Sequence, residues 1–321
     1  MADTEALERV DGERRREVSE QPPLFEIAAG GQLTPGVGVM TALSPTASLE
    51  LARYWYRRAL EATGHPPNTV ESYSYDLSLF QTAIGPKPIN QITPSDVEDF
   101  LEVARTRSTR KRRLTSLGSF FVFLIKRVHI LERDPTDGFF PDHIPLKTPN
   151  PLFDGERDDL LAAAAADGPR TQVMVLLMLS LGISRGELVA MRRDHIDLSA
   201  PDQPVVYVFY ENPRWRGKER KLAAPPEFAT PYRAFLAEEE PTDLLFPMLP
   251  QSVNKLVERI ARAARLTKHV TPQLLRDTYA VNQARQGADE DKLLALLGLA
   301  DDPRNRVSVQ RYLKLGAPAL A

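Results

Sequence analysis

Gln172-Val-Met-Val-Leu-Leu-Met-Leu-Ser-Leu181, followed at once by Gly182-Ile-Ser-Arg-Gly-Glu-Leu188 and then by His195-Ile-Asp197, sets the frame for the rest of the chain. Ten residues with almost no polar member leave a helix no face for water, so the run is expected to be a helix buried on all sides. Gly182 and Glu187, directly after it, read as residues that hold the local fold.

C-terminal to this stretch, PVVYVFY at 204–210 is rich in β-branched and aromatic residues and is expected to be a strand. A polar turn and a second short strand at 221–224 complete a small hairpin. Helical periodicity resumes at 226–238, 253–264, 272–286, 290–297 and 307–313. N-terminal to it, a helix is expected at 158–166, and residues 141–150, with three prolines in a polar setting, read as a linker. Four helices precede the linker. The first, at 49–63, carries Leu51, Tyr54, Trp55 and Arg58 at helical spacing. The second is capped by Asn68 or Thr69, with Val70, Tyr73, Leu77, Phe80 and Ile84 at steps of three and four. The third opens with Thr93 as N-cap and Pro94 at the first helical position, and its apolar face is Val97, Phe100, Leu101 and Val103. The fourth, from about 108 to 131, turns Leu114, Leu117, Phe121, Leu124 and Val128 to a core and is ended by Asp134-Pro135. Residues 1–45 lack sustained periodicity and read as a flexible arm, with a short helix around 4–20 as the alternative. The expected organisation is therefore an arm (1–45), an all-helical domain (46–140), a linker (141–150), a mainly helical domain with a small antiparallel sheet (151–316) and a short tail (317–321).

At 321 residues, 42% hydrophobic and 26% charged, the chain has the length and composition of a two-domain globular protein. It has no cysteine, which excludes disulfides, thiolate metal sites and a cysteine nucleophile. No apolar run reaches the roughly 18–20 residues of a membrane span. The charged start, MADTEALERVDGERRREVSE, lacks the apolar segment of a secretory signal. Five scattered histidines show no metal-ligand spacing. A soluble, cytoplasmic protein without metal or cofactor is the resulting expectation.

The net charge of −2 argues mildly against a nucleic-acid partner, but phosphate affinity depends on where cations sit rather than on their sum. Arg105, Arg107, Arg110, Lys111, Arg112 and Arg113 crowd the start of the fourth helix with no acid among them. The helix dipole makes cations unfavourable there, a cost that an anionic partner offsets. A second cluster, Arg214, Arg216, Lys218, Arg220 and Lys221, occupies the hairpin turn; a third, Lys255, Arg259, Arg262 and Arg265, falls on one helix stripe. Acidic residues gather elsewhere, at 238–240 and 289–291. A solvated helix face is the alternative to a phosphate-binding surface for the first cluster. Three of them over two domains point to double-stranded DNA.

From about residue 48 to 316 the chain resembles the tyrosine recombinase (phage integrase) family, of the Xer kind. The family box Gly-Leu-Arg-Ile-Ser-Glu-Leu, followed by Asp-Ile-Asp, is matched by 182–188 and 195–197: Gly182, Glu187, Leu188, Ile196 and Asp197 keep register. Ser184 then stands at the position of the first catalytic arginine and Arg185 one step along. One helical step is about 100° of rotation, so Arg185 is expected to point elsewhere. The box Thr-Pro-His-x-Leu-Arg-His-Thr reads Thr271-Pro-Gln-Leu-Leu-Arg-Asp-Thr278. Arg276 keeps the second arginine position, while Gln273 and Asp277 replace histidines. The family's Leu-Gly-His reads Leu297-Gly-Leu299. Tyr312 matches the nucleophile, after a gap lengthened by what looks like an insertion at Asp302-Pro-Arg-Asn305. Lys218, or else Lys221, matches the hairpin lysine.

The resemblance implies a helical SAM-like core-binding domain, a mixed α+β catalytic domain with a small antiparallel sheet, and duplex DNA as partner. It also implies association with itself or a related recombinase on DNA, no cofactor, and a nucleoid location if the host is a bacterium. Family members cleave DNA by attack of a tyrosine on a phosphodiester, leaving a 3′-phosphotyrosyl link. Arginines stabilise the charge that develops on the phosphate, and lysine and histidine move protons. Ser184 offers one neutral donor where a forked cation belongs; Gln273 is no acid, and Leu299 is neither donor nor acid. Losing one transition-state donor costs about 10²–10³ in rate. The expectation is thus a degenerate recombinase that clamps DNA in an accessory, regulatory or architectural role. Two alternatives stand beside it: an active recombinase whose altered site combines Arg185, Arg276, a hairpin lysine and Tyr312, and a protein-interaction scaffold that no longer binds DNA. Residues 313–321, with Gly316 and Pro318, are short for the C-terminal helix that family members exchange between protomers.

Overall fold

The computed structural model describes residues 25–27, 33–35, 43–200 and 202–317. It divides into two compact units, Met1–Leu146 and Lys147–Ala321. Within the segment expected to be an arm, β1 (Phe25–Ile27) and β2 (Leu33–Pro35) pair antiparallel. The helix considered around 4–20 lies outside the described residues.

The first unit packs α1 (Leu49–Ala62), α2 (Pro67–Ile84), α3 (Pro94–Glu102) and α4 (Arg107–Lys126) around one apolar core. α3 opens as its sequence predicts: Thr93 accepts from the Asp96 amide while the Asp96 carboxylate accepts from the Thr93 amide, a reciprocal cap. Four details differ from expectation. α2 starts at Pro67 with no side-chain cap, because a proline at the first position is already set to a helical φ, so neither Asn68 nor Thr69 caps it. α1 buries Leu49, Ala52, Trp55, Tyr56, Ala59 and Leu60 and leaves Leu51 40% exposed. Val103 lies past the last turn of α3 and is 66% exposed. α4 stops at Lys126, well before Asp134-Pro135, and His129 takes a left-handed φ of 56° that turns the chain.

The second unit is built on α6 (Pro169–Leu181), in which every residue from 173 to 179 is buried. α5 (Asp154–Asp167), α8 (Ala229–Glu239) and α10 (Pro272–Arg285) pack around it. The short α7 (Arg185–Val189) leads into a sheet of β3 (Ile196–Asp197), β4 (Val205–Val208) and β5 (Arg220–Ala223), antiparallel in that order, with Val206 opposite Leu222. β3 was absent from the sequence reading; two residues carry no periodicity of their own. α9 (Pro250–Ala263), α11 (Glu290–Leu297) and α12 (Pro303–Gly316) complete the unit, with α12 lying on α10 and α11. Asp302-Pro-Arg-Asn305, the stretch that looks like an insertion, forms the cap and first turn of α12. Asp302 caps α12, accepting from the amides of Arg304 and Asn305 at 2.9 Å each. The fold is mainly helical, with the small three-stranded antiparallel sheet in the second unit besides the β1–β2 pair, and among the described residues no helix is long and apolar enough to cross a membrane.

Candidate active site and nucleic-acid interface

α6 ends at Gly182, whose φ of +64° suits glycine and whose missing Cβ leaves room for Tyr279: a methyl group there would lie 2.3 Å from the ring. This close approach brings α10 against the turn, and the Arg276 guanidinium donates to the Gly182 carbonyl and to the Leu297 carbonyl. Ser184, at the position where the resemblance puts an arginine, is the N-cap of α7. Its hydroxyl accepts from the Glu187 amide at 3.3 Å, and its own amide donates to Glu187 Oε2 at 2.7 Å.

Glu187 is the hub of the site. Its side chain is 6% exposed, and Arg220 grips both oxygens, Nη1 at 2.7 Å and Nη2 at 3.0 Å. The Tyr210 hydroxyl donates to it and Arg276 Nη1 stands 3.5 Å away. Burial alone would raise the carboxyl pKa, but the Arg220 hydrogen bonds and the charges of Arg220 and Arg276 hold it at about 2. Two guanidinium groups and one carboxylate leave this buried cluster with one excess positive charge. Gly298 makes room for it, since a Cβ there would lie 2.5 Å from Arg220 Nη1.

Arg220, expected at a DNA surface, is therefore an internal residue. The alternation along β5 gives the reason: Arg220 shares the inward face with buried Leu222, while Lys221 points out. Lys221 Nζ lies 5.8 Å from the Tyr207 ring and Lys218 Nζ 5.9 Å from that of Trp215. Arg216 is exposed; the Arg214 side chain lies outside the described residues.

Arg185 opens α7 and turns to α9, where Nη1 donates to Asn254 Oδ1 at 3.1 Å. It lines a cavity of about 440 Å³ with His269, Thr271, Gln273 and Glu258. Burial lowers the Arg276 pKa, and among its neighbours Glu187 opposes that shift while Arg220 adds to it. Tyr312, on α12, is 7% exposed and donates its hydroxyl to Asp277 Oδ1 at 2.7 Å, while Gln273 Nε2 donates to the same oxygen at 2.8 Å. Burial, then the Asp277 charge and hydrogen bond, push the phenol above its usual value against the pull of Arg311 and Arg276. Leu299 packs on the core that holds Tyr312. The structure thus brings Arg276, Tyr312, Asp277 and Gln273 together, while Arg185 hydrogen-bonds to Asn254 and meets this group only at the cavity it shares with Gln273. Sequence reasoning marked Asp277 only as a replaced histidine and missed its bond to Tyr312. Two residues at successive positions of the quoted box, Arg276 and Asp277, were the available signal.

The cationic clusters divide as well. Arg112 pairs at 2.6 Å with Asp76, which is fully buried and also accepts from Ser116 at 2.8 Å. Arg113 lies 4.4 Å over the Phe100 ring and donates to the Phe100 carbonyl. Arg110 reaches Asp142 at 3.4 Å. Arg112 and Arg113 thus serve the fold of the first unit, because they lie one helical turn before buried Ser116 and Leu117 and so flank the core face of α4. Arg105, Arg107 and Lys111 are exposed, and no ion pair among the described residues involves them. In the third cluster, Arg259 grips Asp167 with both nitrogens and Arg262 pairs with Glu258 at 2.7 Å, leaving Lys255 and Arg265 exposed without an ion pair among the described residues.

Residues 154–315, just over half of the chain, match the phage integrase family, and residues 54–128 match the phage integrase N-terminal SAM-like domain. The chain belongs to the phage integrase family. It is 27% identical over 280 residues to the tyrosine recombinase XerD of Ralstonia nicotianae, covering 81% of this chain and 88% of that protein. To the tyrosine recombinase XerC of Anoxybacillus flavithermus it is 28% identical over 257 residues, covering 72% and 83%. Among solved structures, a lambda integrase dimer bound to a COC′ core site superposes with a TM-score of 0.65 at 15% identity, over 92% of this chain and 95% of that one. The Tn1549 transposon integrase in complex with transposon right end DNA gives 0.62 at 16% identity, over 84% and 95%. These likenesses establish the phage integrase fold here: a SAM-like helical unit followed by the mixed unit that carries Glu187, Arg276 and Tyr312.

Proposed function

We propose that this integrase-family chain binds double-stranded DNA and is impaired in cleaving it, so that its role is accessory, regulatory or architectural. The hydrogen bond from Tyr312 to Asp277 carries the reading. A phenol must lose its proton to attack phosphorus, and a carboxylate 2.7 Å away, in a buried site, opposes the phenolate. Ser184 is engaged in capping α7, Gln273 in holding Asp277, and Leu299 in packing, so none of the three is free to replace the cation or the acid expected there. The exposed Arg105, Arg107, Lys111, Arg216, Lys221 and Lys255 supply phosphate contacts, and the excess positive charge of the Glu187 cluster favours an anion near Arg276. The integrases of similar fold that were solved with DNA support duplex DNA as the partner. A set of nicked suicide duplexes, resolved on denaturing gels, tests the reading: bands of duplex shifted in native gels but no covalent adduct are expected. An adduct that disappears in Tyr312→Phe overturns the impairment.

A second reading rests on the same contact. Asp277 stands within hydrogen-bond reach of the phenol, the geometry of a general base. Covalent adduct formation lost equally in Tyr312→Phe and Asp277→Asn would select an active enzyme of that kind.

A further inference from the structure

Beside the Glu187 cluster, and sharing Ser184, Glu187, Tyr210 and Lys218 with it, lies a cavity of about 280 Å³ with mostly apolar walls. Phe209 forms one wall, and it is 51% exposed. Its ring is stacked on Tyr207 at 5.7 Å with planes 4° apart, and His195 meets its edge at 5.4 Å. Trp215 and Tyr210, edge to face at 5.6 Å, also line it. The floor is aliphatic, Met191 and Val208. One cation, Lys218, lines the cavity, its Nζ 5.9 Å from the Trp215 ring, together with Glu187, whose carboxylate is held by Arg220. Exposed Arg216 follows Trp215 in the chain, and Lys221 stands 5.8 Å from the Tyr207 ring that stacks on Phe209.

An exposed, ordered phenylalanine stack is an unusual thing for a strand end to present to water, since exposed aromatic area carries a free-energy cost of about 25 cal/mol per Å². A flat ring entering the cavity would cover it. Aromatic walls alone suit any apolar side chain. Lys218 in the lining, with exposed Arg216 and Lys221 on the adjoining surface, selects a flat ring that carries negative charge behind it, and a nucleotide has that combination: a π-face for the aromatic rings and a phosphate for the cations. Fully paired duplex keeps its bases in the stack and out of reach, so the occupant must be a base turned out of it.

We propose that this cavity of the second unit receives one nucleobase unstacked from the bound DNA, held against Phe209 and Trp215 with its phosphate at Lys218 and Arg216. The inference rests on the proposal that the chain binds duplex DNA. The pocket makes the protein prefer DNA that is bulged, mispaired or locally open over an intact duplex of the same sequence.

The test compares two 30-base-pair duplexes, one fully paired and one carrying a single bulged 2-aminopurine, titrated with the full chain. A preference for the bulged duplex of about ten-fold is expected, within the range that one stacked base contributes, with the 2-aminopurine emission quenched on binding. Phe209→Ala is expected to remove both the preference and the quenching while leaving the affinity for paired duplex unchanged, and Phe209→Tyr to restore them. Equal affinity for the two duplexes, or a preference that survives Phe209→Ala, overturns the proposal. So does a Phe209→Ala variant whose only change is loss of self-association in sedimentation, which assigns the face to a second copy of the chain. Failure to bind even the paired duplex refutes instead the DNA-binding reading beneath it.

Discussion

Replacing Glu187 by Gln removes the one negative charge in a buried cluster of two arginines, and the structure sets the size of the effect. A carboxyl group held at about 2 in the fold against its ordinary 4.5 contributes about 3 kcal/mol of stability once the pH exceeds 4.5. The side chain is 6% exposed, so screening by water takes little from that figure. Loss of the carboxylate also strands two cations: against the cost of burial, Glu187 raises the pKa of Arg220, whereas burial lowers that of Arg276. Breaking a buried pair from one side costs about 3–5 kcal/mol, which for a unit of this size is a fall in Tm of roughly 10 °C. The sign with pH follows from the depressed pKa. The contribution is complete above 4.5 and is lost as pH falls toward 2; about 1.4 kcal/mol remains at pH 3 and about 0.8 at pH 2.5. Urea denaturation of wild type and Glu187→Gln at pH 7, 4, 3 and 2.5 measures the difference at each pH. A gap under about 1 kcal/mol at pH 7, or one that stays constant down to pH 2.5, refutes the account of Glu187 as the anionic hub.

Gly182→Ala forces a left-handed residue to carry a Cβ at 2.3 Å from Tyr279, and a loss of about 2–4 kcal/mol is expected by chemical denaturation, from strain and overpacking together. Arg112→Ala leaves Asp76 buried without its cation and destabilises the first unit by about 3 kcal/mol or more, whereas Arg107→Ala changes stability by less than about 0.5 kcal/mol; equal effects in thermal melts contradict the division of the cluster. Neutralising Arg105, Arg107 and Lys111 together lowers the slope of log K against log salt for duplex binding by about 3, one per phosphate contact; an unchanged slope removes them from the interface. Asp277→Asn takes away an anion and moves the Tyr312 phenol titration to lower pH, read as the ultraviolet absorbance change that is missing in Tyr312→Phe. No movement means that burial alone sets the phenol.

The helices were legible because apolar spacing and caps are local: Thr93 with Pro94 announces α3, and the unbroken apolar run announces buried α6. Family membership was legible in the same way, from residues that keep register around Gly182 and Arg276. What the sequence hid is the destination of each charge. Arg112 and Arg105 sit in one run of cations, yet one reaches a buried aspartate and the other water, a difference fixed by α2 supplying Asp76 across the core. Arg220 looked like part of a basic turn, and only its strand register with Leu222 could have turned it inward. Tyr312 and Asp277 are 35 residues apart in the chain, so nothing in either local pattern reveals their bond.

That bond also bears on how a phosphate would be received. In-line attack brings phosphorus to about 3–3.5 Å from the phenol oxygen. With Asp277 at 2.7 Å from the same oxygen, carboxylate and phosphate cannot be farther apart than about 6 Å. Two unit charges at 6 Å repel by about 3 kcal/mol at an effective dielectric of 20, roughly a hundred-fold in rate or occupancy. Arg276 offsets part of this, but it already serves two carbonyls and Glu187. Restoring histidine at 277 alone would lift the repulsion and at the same time leave Gln273 without its acceptor. Restoring it at 273 alone would set an imidazole against the Asp277 carboxylate and draw its proton there instead of toward DNA. The two positions form a coupled pair, and under the impaired reading their reversions are non-additive: the double change Gln273→His with Asp277→His should recover more cleavage than the product of the singles, and a recovery equal to that product would show that the Tyr312 contact is incidental to the loss.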